Sequence, residues 1–274
     1  MSLSRCLAAL ARQELGASWE VVVVDDASKQ RERIAELVAS FPAARLIHGP
    51  GDGPATARNL GAEAALGSSI CFTDDDCEPE PGWAAALVSR LDEAAAAGGV
   101  TVPAADVGVL ARASERVSAY VTEFSFRAAG PPFAPSNNLA CRAEVVAELP
   151  FDERYSEAGG EDRDWCARLA AGGHRLVREP AAVVVHRQQP TLKGFLSRHA
   201  RFGRAAHRYA ADHGEGSLPS PPGLYSGIVR DGFGGGMGVG TMVCLAQAAT
   251  AGGYAAEALR SRVGVNRSAS ASPS

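Results

Sequence analysis

Short runs of apolar, mostly β-branched residues alternate with helical patterns up to about Thr101. Glu20–Val24 is such a run, and this composition is typical of strands that are buried on both faces of a parallel sheet. Pro54 suits the first turn of a helix, and a Gly/Pro-rich loop precedes it. The alternation predicts an α/β fold with a mixed, mostly parallel central sheet flanked by helices. The predicted strands are 20–24, 44–48 and 69–73, and the predicted helices are 3–12, 31–40, 54–66 and 82–97.

The pattern is less regular after Thr101, and it ends in segments of unusual composition. Residues 214–223 are rich in glycine, serine and proline, which predicts a linker, and residues 263–274 are predicted to be a disordered tail. A helical extension over 224–262 is predicted between them. The remaining predicted strands are 99–102, 137–142, 175–178 and 182–186, and the remaining predicted helices are 107–128, 161–171 and 191–210.

Charge and cysteine content exclude several classes of function. A net charge of −4 gives the whole protein no attraction to nucleic acid, so no nucleic-acid partner is predicted. The cysteines form no CxxC pair, and neither they nor the histidines have the spacing of zinc ligands. With no secretory leader ahead of them, they are predicted to be small buried residues in a reducing cytosol. They are Cys6, Cys71, Cys77, Cys141, Cys166 and Cys244.

Two acidic clusters follow predicted strands directly. Asp25-Asp26 comes after the first strand, and Asp74-Asp75-Asp76 comes after the third. In open α/β sheets ligands bind beyond the carboxyl ends of the strands, so both clusters are predicted on one rim. Three adjacent aspartates repel one another unless a cation or solvent intervenes, and oxygen-rich sites suit Mg²⁺ or Mn²⁺. A solvated acidic turn that caps the helix after Pro81 is the alternative, and the triplet alone does not decide between the two.

Five motifs in order along the chain resemble those of family 2 glycosyltransferases, over roughly Leu3 to Tyr209. The triplet lies in TDDDCEPEPGW (73–83), which is similar to the family's Asp-x-Asp metal motif. The resemblance implies the nucleotide-sugar-binding fold called GT-A, with a main domain over 1–213 that divides into a nucleotide-binding half (1–103) and an acceptor half (104–213). The other similar segments are VVVVDDAS (21–28), GPATARNLG (53–61), SNNLA (136–140) and GGEDRDW (159–165).

The resemblance also implies roles for residues on the donor side. Asp25 or Asp26 would hydrogen-bond the base of the nucleotide, and Arg58 would line the nucleotide and phosphate pocket. Asp74 and Asp75 would contact the nucleotide sugar. The implied metal ligands for Mn²⁺ or Mg²⁺ are Asp76, Asp74 and His186; as the last residue of an apolar run, His186 is equally well explained as a core or surface histidine.

On the acceptor side, the resemblance implies that the Glu161-Asp162 pair supplies a catalytic base, with Asp162 the preferred candidate. Helix N-terminal capping explains the same residues equally simply. Trp165 is expected either to wall the sugar or acceptor site or to lie in the core.

The C-terminal part predicts a possible contact with a membrane. The helix over 191–210 is basic, and it also carries an apolar stripe that lies either on anionic lipid or in the core. Residues 232–256 contain no charged residue, but glycine and alanine dilute the run, so it predicts either a membrane-associated helix or a weak soluble or interfacial one. A cytoplasmic protein is expected, either free in the cytosol or peripheral on the cytoplasmic membrane face.

The sequence departs from the family pattern at its start. Family members normally open with an apolar strand ahead of the helix that begins here at Leu3, and no such strand is visible. We therefore expect the edge beside Glu20–Val24 either to be unpaired or to be covered by another segment.

The predicted function is a metal-dependent glycosyltransferase that moves a sugar from a nucleoside-diphosphate sugar, most simply a UDP-sugar, to a saccharide or lipid-linked acceptor. The resemblance favours inversion at the sugar carbon and a place in cell-surface polysaccharide or glycolipid synthesis. No GxGxxG follows the first visible strand and no GxxxxGK[ST] occurs, which argues against dinucleotide and P-loop enzymes. A nucleotidyltransferase and a non-catalytic nucleotide- or carbohydrate-binding module are the alternatives.

Overall fold

The computed structural model describes residues 2–214 and 223–269, with side chains described up to residue 262. The chain divides into two compact units. The first contains the residues up to Val107 together with Thr122–Gln188, and the second contains Gly108–Val121 and the residues from Gln189 onward. The elements in chain order are α1 (Ser2–Leu10), β1 (Val21–Asp25), α2 (Arg31–Ala39), β2 (Ala44–His48), α3 (Pro54–Ala64), β3 (Ser69–Phe72), β4 (Cys77–Pro79), α4 (Trp83–Ser89), β5 (Ala96–Pro103), α5 (Val109–Arg127), β6 (Leu139–Arg142), α6 (Ala143–Glu148), α7 (Glu161–Ala171), β7 (Leu176–His186), α8 (Leu192–His213), α9 (Leu224–Gly234) and α10 (Met237–Ala269).

The first unit contains all the strands of the described residues, in two sheets. β1 and β2 form a parallel pair, and the other strands form a five-stranded sheet in the order β3-β6-β5-β7-β4. The predicted α/β class and the mixed sheet are confirmed. The longest pairings, β1–β2 and β5–β7, are parallel, whereas β6 pairs antiparallel with β3 and β5, and β4 pairs antiparallel with β7.

The predicted helix 82–97 is wrong in its last third. α4 ends at Ser89, a short 3₁₀ turn covers Arg90–Asp92, and β5 begins at Ala96. Alanine favours helices, but here small residues are needed because Ala134 and the Asn138 side chain approach β5 closely at its glycines. A Cβ atom on Gly98 would come within 2.3 Å of the Ala134 side chain. Tertiary packing therefore overrides the local helical preference.

Two apolar clusters form the core of the first unit. One contains Phe72, Phe151 and Trp165, in which the rings of Phe151 and Trp165 are stacked with centroids 5.5 Å apart. The other contains Trp83, whose ring nitrogen donates a hydrogen bond to the side-chain oxygen of the fully buried Asn138 at 2.8 Å. Trp165 is thus a core residue, which decides between its two predicted roles.

The strands β1 and β3 each have one edge without a strand partner among the described residues. Both edges line a single cavity of about 1390 Å³, which also reaches Arg58 and the aspartate triplet. The structure thus agrees with the first of the two expected arrangements, in which β1 has an unpaired edge.

The second unit consists of helices in the described residues. Its core contains Phe195 of α8, Ile228 of α9 and Val243 of α10. α8 and α10 approach closely at glycine, since a Cβ atom on Gly203 would come within 1.9 Å of the carbonyl oxygen of Thr250. Among the described helices, none combines the length and the apolar character needed to cross a bilayer.

The predicted domain boundaries at 103, 213 and 223 stay predictions. The compact units group α8 with the C-terminal helices rather than with the sheet. Most of the predicted linker, residues 215–222, lies outside the described residues, as do residues 270–274 of the predicted tail. α10 continues to Ala269 and so enters the segment predicted to be disordered.

Candidate active site

The aspartate triplet occupies the turn between β3 and β4, and its three side chains have different neighbours. Asp74 Oδ1 lies 3.4 Å from Arg58 Nη2. Asp75 is exposed and accepts a hydrogen bond from the Ser2 hydroxyl at 2.7 Å. Asp76 Oδ2 lies 3.0 Å from His186 Nε2. The triplet therefore contacts three separate parts of the first unit.

Arg58 of α3 connects carboxylates from both halves of the sequence. Its Nη1 donates to Glu161 Oε1 at 2.9 Å and lies 3.4 Å from Asp162 Oδ1, while its Nη2 reaches Asp74. Desolvation alone would lower the pKa of the buried guanidinium, but Asp162, Asp74 and Glu161 outweigh it and raise that pKa. The Arg58 guanidinium thus contacts Asp74 from the first half of the sequence and the Glu161-Asp162 pair from the second.

The Glu161-Asp162 pair begins α7, after two glycines with positive φ at Gly159 and Gly160. Glu161 Oε2 accepts a hydrogen bond from the Gly159 N–H at 2.6 Å, and Asp162 Oδ2 accepts one from the Ser136 N–H at 3.1 Å. Neither bond caps an N–H group inside the helix, so simple N-capping does not account for these side chains.

Glu161 and Asp162 differ in their access to solvent. The Glu161 side chain is 3% exposed and the Asp162 side chain is 17% exposed. Burial, and next the charge of Asp162, raise the pKa of Glu161 to about 7, although Arg58 opposes both effects. Asp162 is therefore the carboxylate of the pair that an acceptor can reach more easily.

Asp76 and His186 form part of a cluster of possible metal ligands. Ligand atoms of Asp76, Cys77 and His186 all lie within 4.8 Å of one another. A carboxylate oxygen and an imidazole nitrogen 3.0 Å apart are donors of the kind that divalent first-row ions take, so these residues fit such an ion. Asp74, the other predicted ligand, contacts Arg58 instead. Cys77 was not among the ligands predicted from the sequence, and the one signal for it is its position directly after the triplet.

Asp25 and Asp26 lie at the end of β1, and their carboxylates are used differently. Both oxygens of Asp26 accept backbone hydrogen bonds, from Gly51 at 2.7 Å and from Gly53 at 2.8 Å. Asp25 is buried, and its Oδ1 accepts from the Ser28 N–H. Its Oδ2 has no hydrogen bond within the described part of the chain, but Arg31 Nε and His48 Nδ1 lie 3.7 and 3.6 Å from it. Burial would raise the pKa of Asp25, but the hydrogen bonds from Ser28 outweigh it and the pKa is lowered. The two hydrogen bonds that Asp26 accepts fix the conformation of the loop before α3.

Asn138, in the segment before β6, is a site-supporting residue whose partners were not predictable from sequence. Its side-chain nitrogen donates to the carbonyl oxygens of Val100 and Ala182, at 2.9 and 3.1 Å. The same segment provides the Ser136 N–H that holds Asp162. Asn138 thus attaches the segment that holds Asp162 to β5 and to β7.

Comparison with known families identifies one sequence family. Residues 2–149 match the model of the family described as "Glycosyl transferase family 2". The chain is 29% identical over 212 residues to pre-mycofactocin glycosyltransferases of two Mycobacterium tuberculosis strains, a match that covers 73% of this chain and 44% of theirs. The chain therefore spans less than half the length of those relatives. It is also 24% identical over 180 residues to the amylovoran biosynthesis glycosyltransferase AmsB of Erwinia amylovora, covering 58% of this chain and 57% of AmsB.

Solved structures share the fold at low sequence identity. GalNAc-T7, crystallised with UDP, GalNAc and Mn²⁺, matches with a TM-score of 0.53 and 15% identity, covering 84% of this chain and 52% of that chain. Residues 1–349 of S. aureus TarS, in complex with UDP-GlcNAc, match with a TM-score of 0.50 and 16% identity, covering 96% and 88%. These similarities identify the GT-A fold.

Proposed function

Because the chain belongs to glycosyl transferase family 2, we propose that it transfers a sugar from a nucleoside-diphosphate sugar to a hydroxyl group of an acceptor. The observation that carries the proposal is the cluster around Arg58. A single guanidinium lies within hydrogen-bonding distance of Asp74, on the predicted donor side, and of Asp162, the predicted base. The donor and the acceptor can therefore both bind next to this guanidinium.

On the donor side we assign recognition to the acidic rim. Asp25, the neighbouring Asp26, Arg58, Asp74 and Asp75 would contact the nucleotide sugar, as the sequence resemblance implies. UDP is the favoured nucleotide, because the TarS structure contains UDP-GlcNAc and the GalNAc-T7 structure contains UDP.

The proposed ion is Mn²⁺ or Mg²⁺, with Asp76 and His186 as its protein ligands and Asp74 as a further candidate. A bound ion would neutralise the negative charge that develops on the leaving diphosphate. Mn²⁺ is present in the GalNAc-T7 structure, which supports this choice for a protein of the same fold.

On the acceptor side we assign the base to Asp162. It would take the proton of the acceptor hydroxyl while that oxygen forms a bond to the anomeric carbon of the sugar. The bond from that carbon to the diphosphate breaks, the diphosphate leaves with the electron pair, and the configuration inverts. The Ser136 N–H and Arg58 keep the carboxylate in place. Glu161, which is buried, would hold Arg58 rather than contact the acceptor.

We propose a saccharide or lipid-linked acceptor and peripheral contact with an anionic membrane surface on its cytoplasmic face. The name of the amylovoran relative supports a place in cell-surface polysaccharide synthesis. Of the large exposed apolar side chains among the described residues, all except Leu66 belong to the second unit, and they include Tyr225, Met237 and Leu259. Exposed apolar residues in the unit that also contains the basic helix α8 suit a lipid surface.

The experiment that tests the proposal is a screen of nucleotide sugars for release of a nucleoside diphosphate, with Mn²⁺ or with a chelator. We expect ion-dependent release by the parent and by Asp92→Asn, an exposed control on the 3₁₀ turn, and loss of release in Asp76→Asn. A nucleotidyltransferase would instead release pyrophosphate from a nucleoside triphosphate and a sugar 1-phosphate, and a parallel assay with those two substrates would identify it. Ion-dependent binding of nucleoside diphosphate without turnover of any donor would support the binding-module alternative.

A further inference from the structure

We propose that Cys77 is a third protein ligand of the ion held by Asp76 and His186, so that the site combines sulfur, nitrogen and oxygen donors. This inference rests on the ion site of the proposed function. It goes beyond that function because a thiolate changes which metals the site prefers.

The strand register places Cys77 and His186 together. β4 pairs antiparallel with β7, and Cys77 is the residue directly opposite His186. Directly opposed residues of an antiparallel pair project their side chains to the same face of the sheet. The sheet therefore supplies two of the three donors by register alone.

Asp76 completes the group from the preceding turn. Its Oδ2 lies 3.0 Å from His186 Nε2, and its Oδ1 lies 3.9 Å from Cys77 Sγ. In a tetrahedral zinc site, bonds of about 2.3 Å to sulfur and about 2.0 Å to nitrogen put those two atoms about 3.6 Å apart. The ligand atoms here lie within 4.8 Å of one another, so side-chain rotations that move them by roughly 1 Å bring them to that spacing.

The competing explanation is that Cys77 is only a core residue. It has no exposed surface, and it packs in the apolar cluster of Trp83, Leu87 and Val184. Cys141 is equally buried, but it lies in the other apolar cluster and belongs to no group of metal-ligand atoms in the described residues. Cys77 differs because a carboxylate and an imidazole lie beside its sulfur, which gives a matched pair of buried cysteines for the test.

A thiolate ligand shifts the metal preference of the site toward softer ions. Oxygen-rich sites suit Mg²⁺ and Mn²⁺, whereas sulfur donors favour softer ions such as Zn²⁺, Cd²⁺ and Co²⁺. We therefore expect the protein to bind Zn²⁺ and Cd²⁺ more tightly than Mg²⁺, and the Cys77→Ser variant to lose roughly tenfold or more of its Cd²⁺ affinity while its Mg²⁺ affinity changes little.

The test is a titration of the chelator-treated protein with Co²⁺, followed by calorimetry and by the near-ultraviolet thiolate-to-cobalt charge-transfer absorption. The parent and Cys141→Ser should bind Co²⁺ and show the band, and Cys77→Ser should bind Co²⁺ more weakly without it. If Cys77→Ser does not fold, Asp76→Ala and His186→Ala replace it, and both should lose the band.

Two results would overturn the inference, and they differ in what they leave intact. Co²⁺ binding by the parent without the band would show that Cys77 is a core residue and leave the ion site standing. A failure of the parent to bind Co²⁺, or binding unaffected by Asp76→Ala, would remove the ion site as well.

Discussion

Replacing Arg58 with methionine removes the positive charge of a side chain that is only 15% exposed and leaves an unbranched apolar side chain in its place. The charge faces Glu161 at 2.9 Å, and Asp162 and Asp74 at 3.4 Å. The Glu161 contact is the buried one, whereas the contacts to Asp162 and Asp74 are longer and partly exposed. The three contacts should therefore contribute unequally to stability, and pH should separate them.

The pH dependence follows from Glu161. Its folded-state pKa of about 7 lies above the ordinary value of 4.5, so the folded protein holds this proton more tightly than the unfolded chain does. Protonated Glu161 therefore adds to the free energy of unfolding. This contribution is fully present below pH 4.5 and is lost as pH rises to about 7, a change of roughly 3 kcal/mol. Without Arg58 the pKa rises further, because the guanidinium is the main influence that lowers it.

The expected loss in Arg58→Met is therefore larger at pH 8 than at pH 5.5. At pH 8 the variant loses the partner of an ionised buried carboxylate, which typically costs about 3–5 kcal/mol. Protonation of Glu161 in the variant limits the loss: with a parent pKa of about 7, linkage lets the loss grow by about 1.4 kcal/mol between pH 5.5 and pH 8, to roughly 2 kcal/mol. At pH 5.5 Glu161 is already largely protonated in the parent, so the partly exposed contacts leave a loss of about 1 kcal/mol.

Urea unfolding at the two pH values, followed by tryptophan fluorescence, measures this difference. Trp19, Trp83 and Trp165 all lie in the first unit, so the signal reports on the unit that contains Arg58. Arg127→Met is the control, because Arg127 is 76% exposed and pairs with Glu123 on the same helix; its loss should stay below about 1 kcal/mol at both pH values. An Arg58→Met loss that is the same at pH 5.5 and pH 8 would refute the argument from Glu161.

Three further outcomes are expected. Asp162→Asn should lower the transfer rate at saturating donor by about 100-fold or more while donor affinity and melting temperature stay near the parent's, and a parental rate would remove Asp162 from the mechanism. Gly53→Ala should destabilise the first unit by about 1–3 kcal/mol in thermal unfolding, because φ is +101° and the new Cβ would meet the Ser156 carbonyl oxygen; an unchanged melting temperature would contradict this. The protein should sediment with anionic vesicles at low salt, less so at high salt and not with zwitterionic vesicles, and failure to sediment at low salt would argue against membrane contact.

Local patterns predicted several elements of the first unit well. The alternation of apolar, strand-like runs with helical patterns predicted strand 44–48 with its observed bounds. Pro54 correctly marked the start of α3. The helix at Glu161–Ala171 was also predicted with its observed bounds. These elements were predicted correctly because their hydrophobic pattern and the residues that mark their ends agree.

Pairing and side-chain partners were not predictable, because they depend on contacts between distant segments. Nothing in the local pattern shows that Arg58 contacts Glu161, or that β6 runs antiparallel between β3 and β5. Likewise, Cys77 and His186 have no ligand spacing along the chain and meet only through the register of β4 and β7. The motifs thus located the site, and the tertiary structure supplied its connections.

The unpaired edges of β1 and β3 have a consequence for local opening. β5 is paired on both sides, so its amide hydrogens should exchange with solvent only in the largest opening of the first unit. The amides of Val21–Val24 and Ser69–Phe72 border the cavity and should exchange sooner. Asp25 ends β1 and Asp74 lies just after β3, whereas His186 ends a strand that pairs with β5. The nucleotide half of the site should therefore fluctuate more than the half around His186, and a bound donor should slow exchange most at β1 and β3.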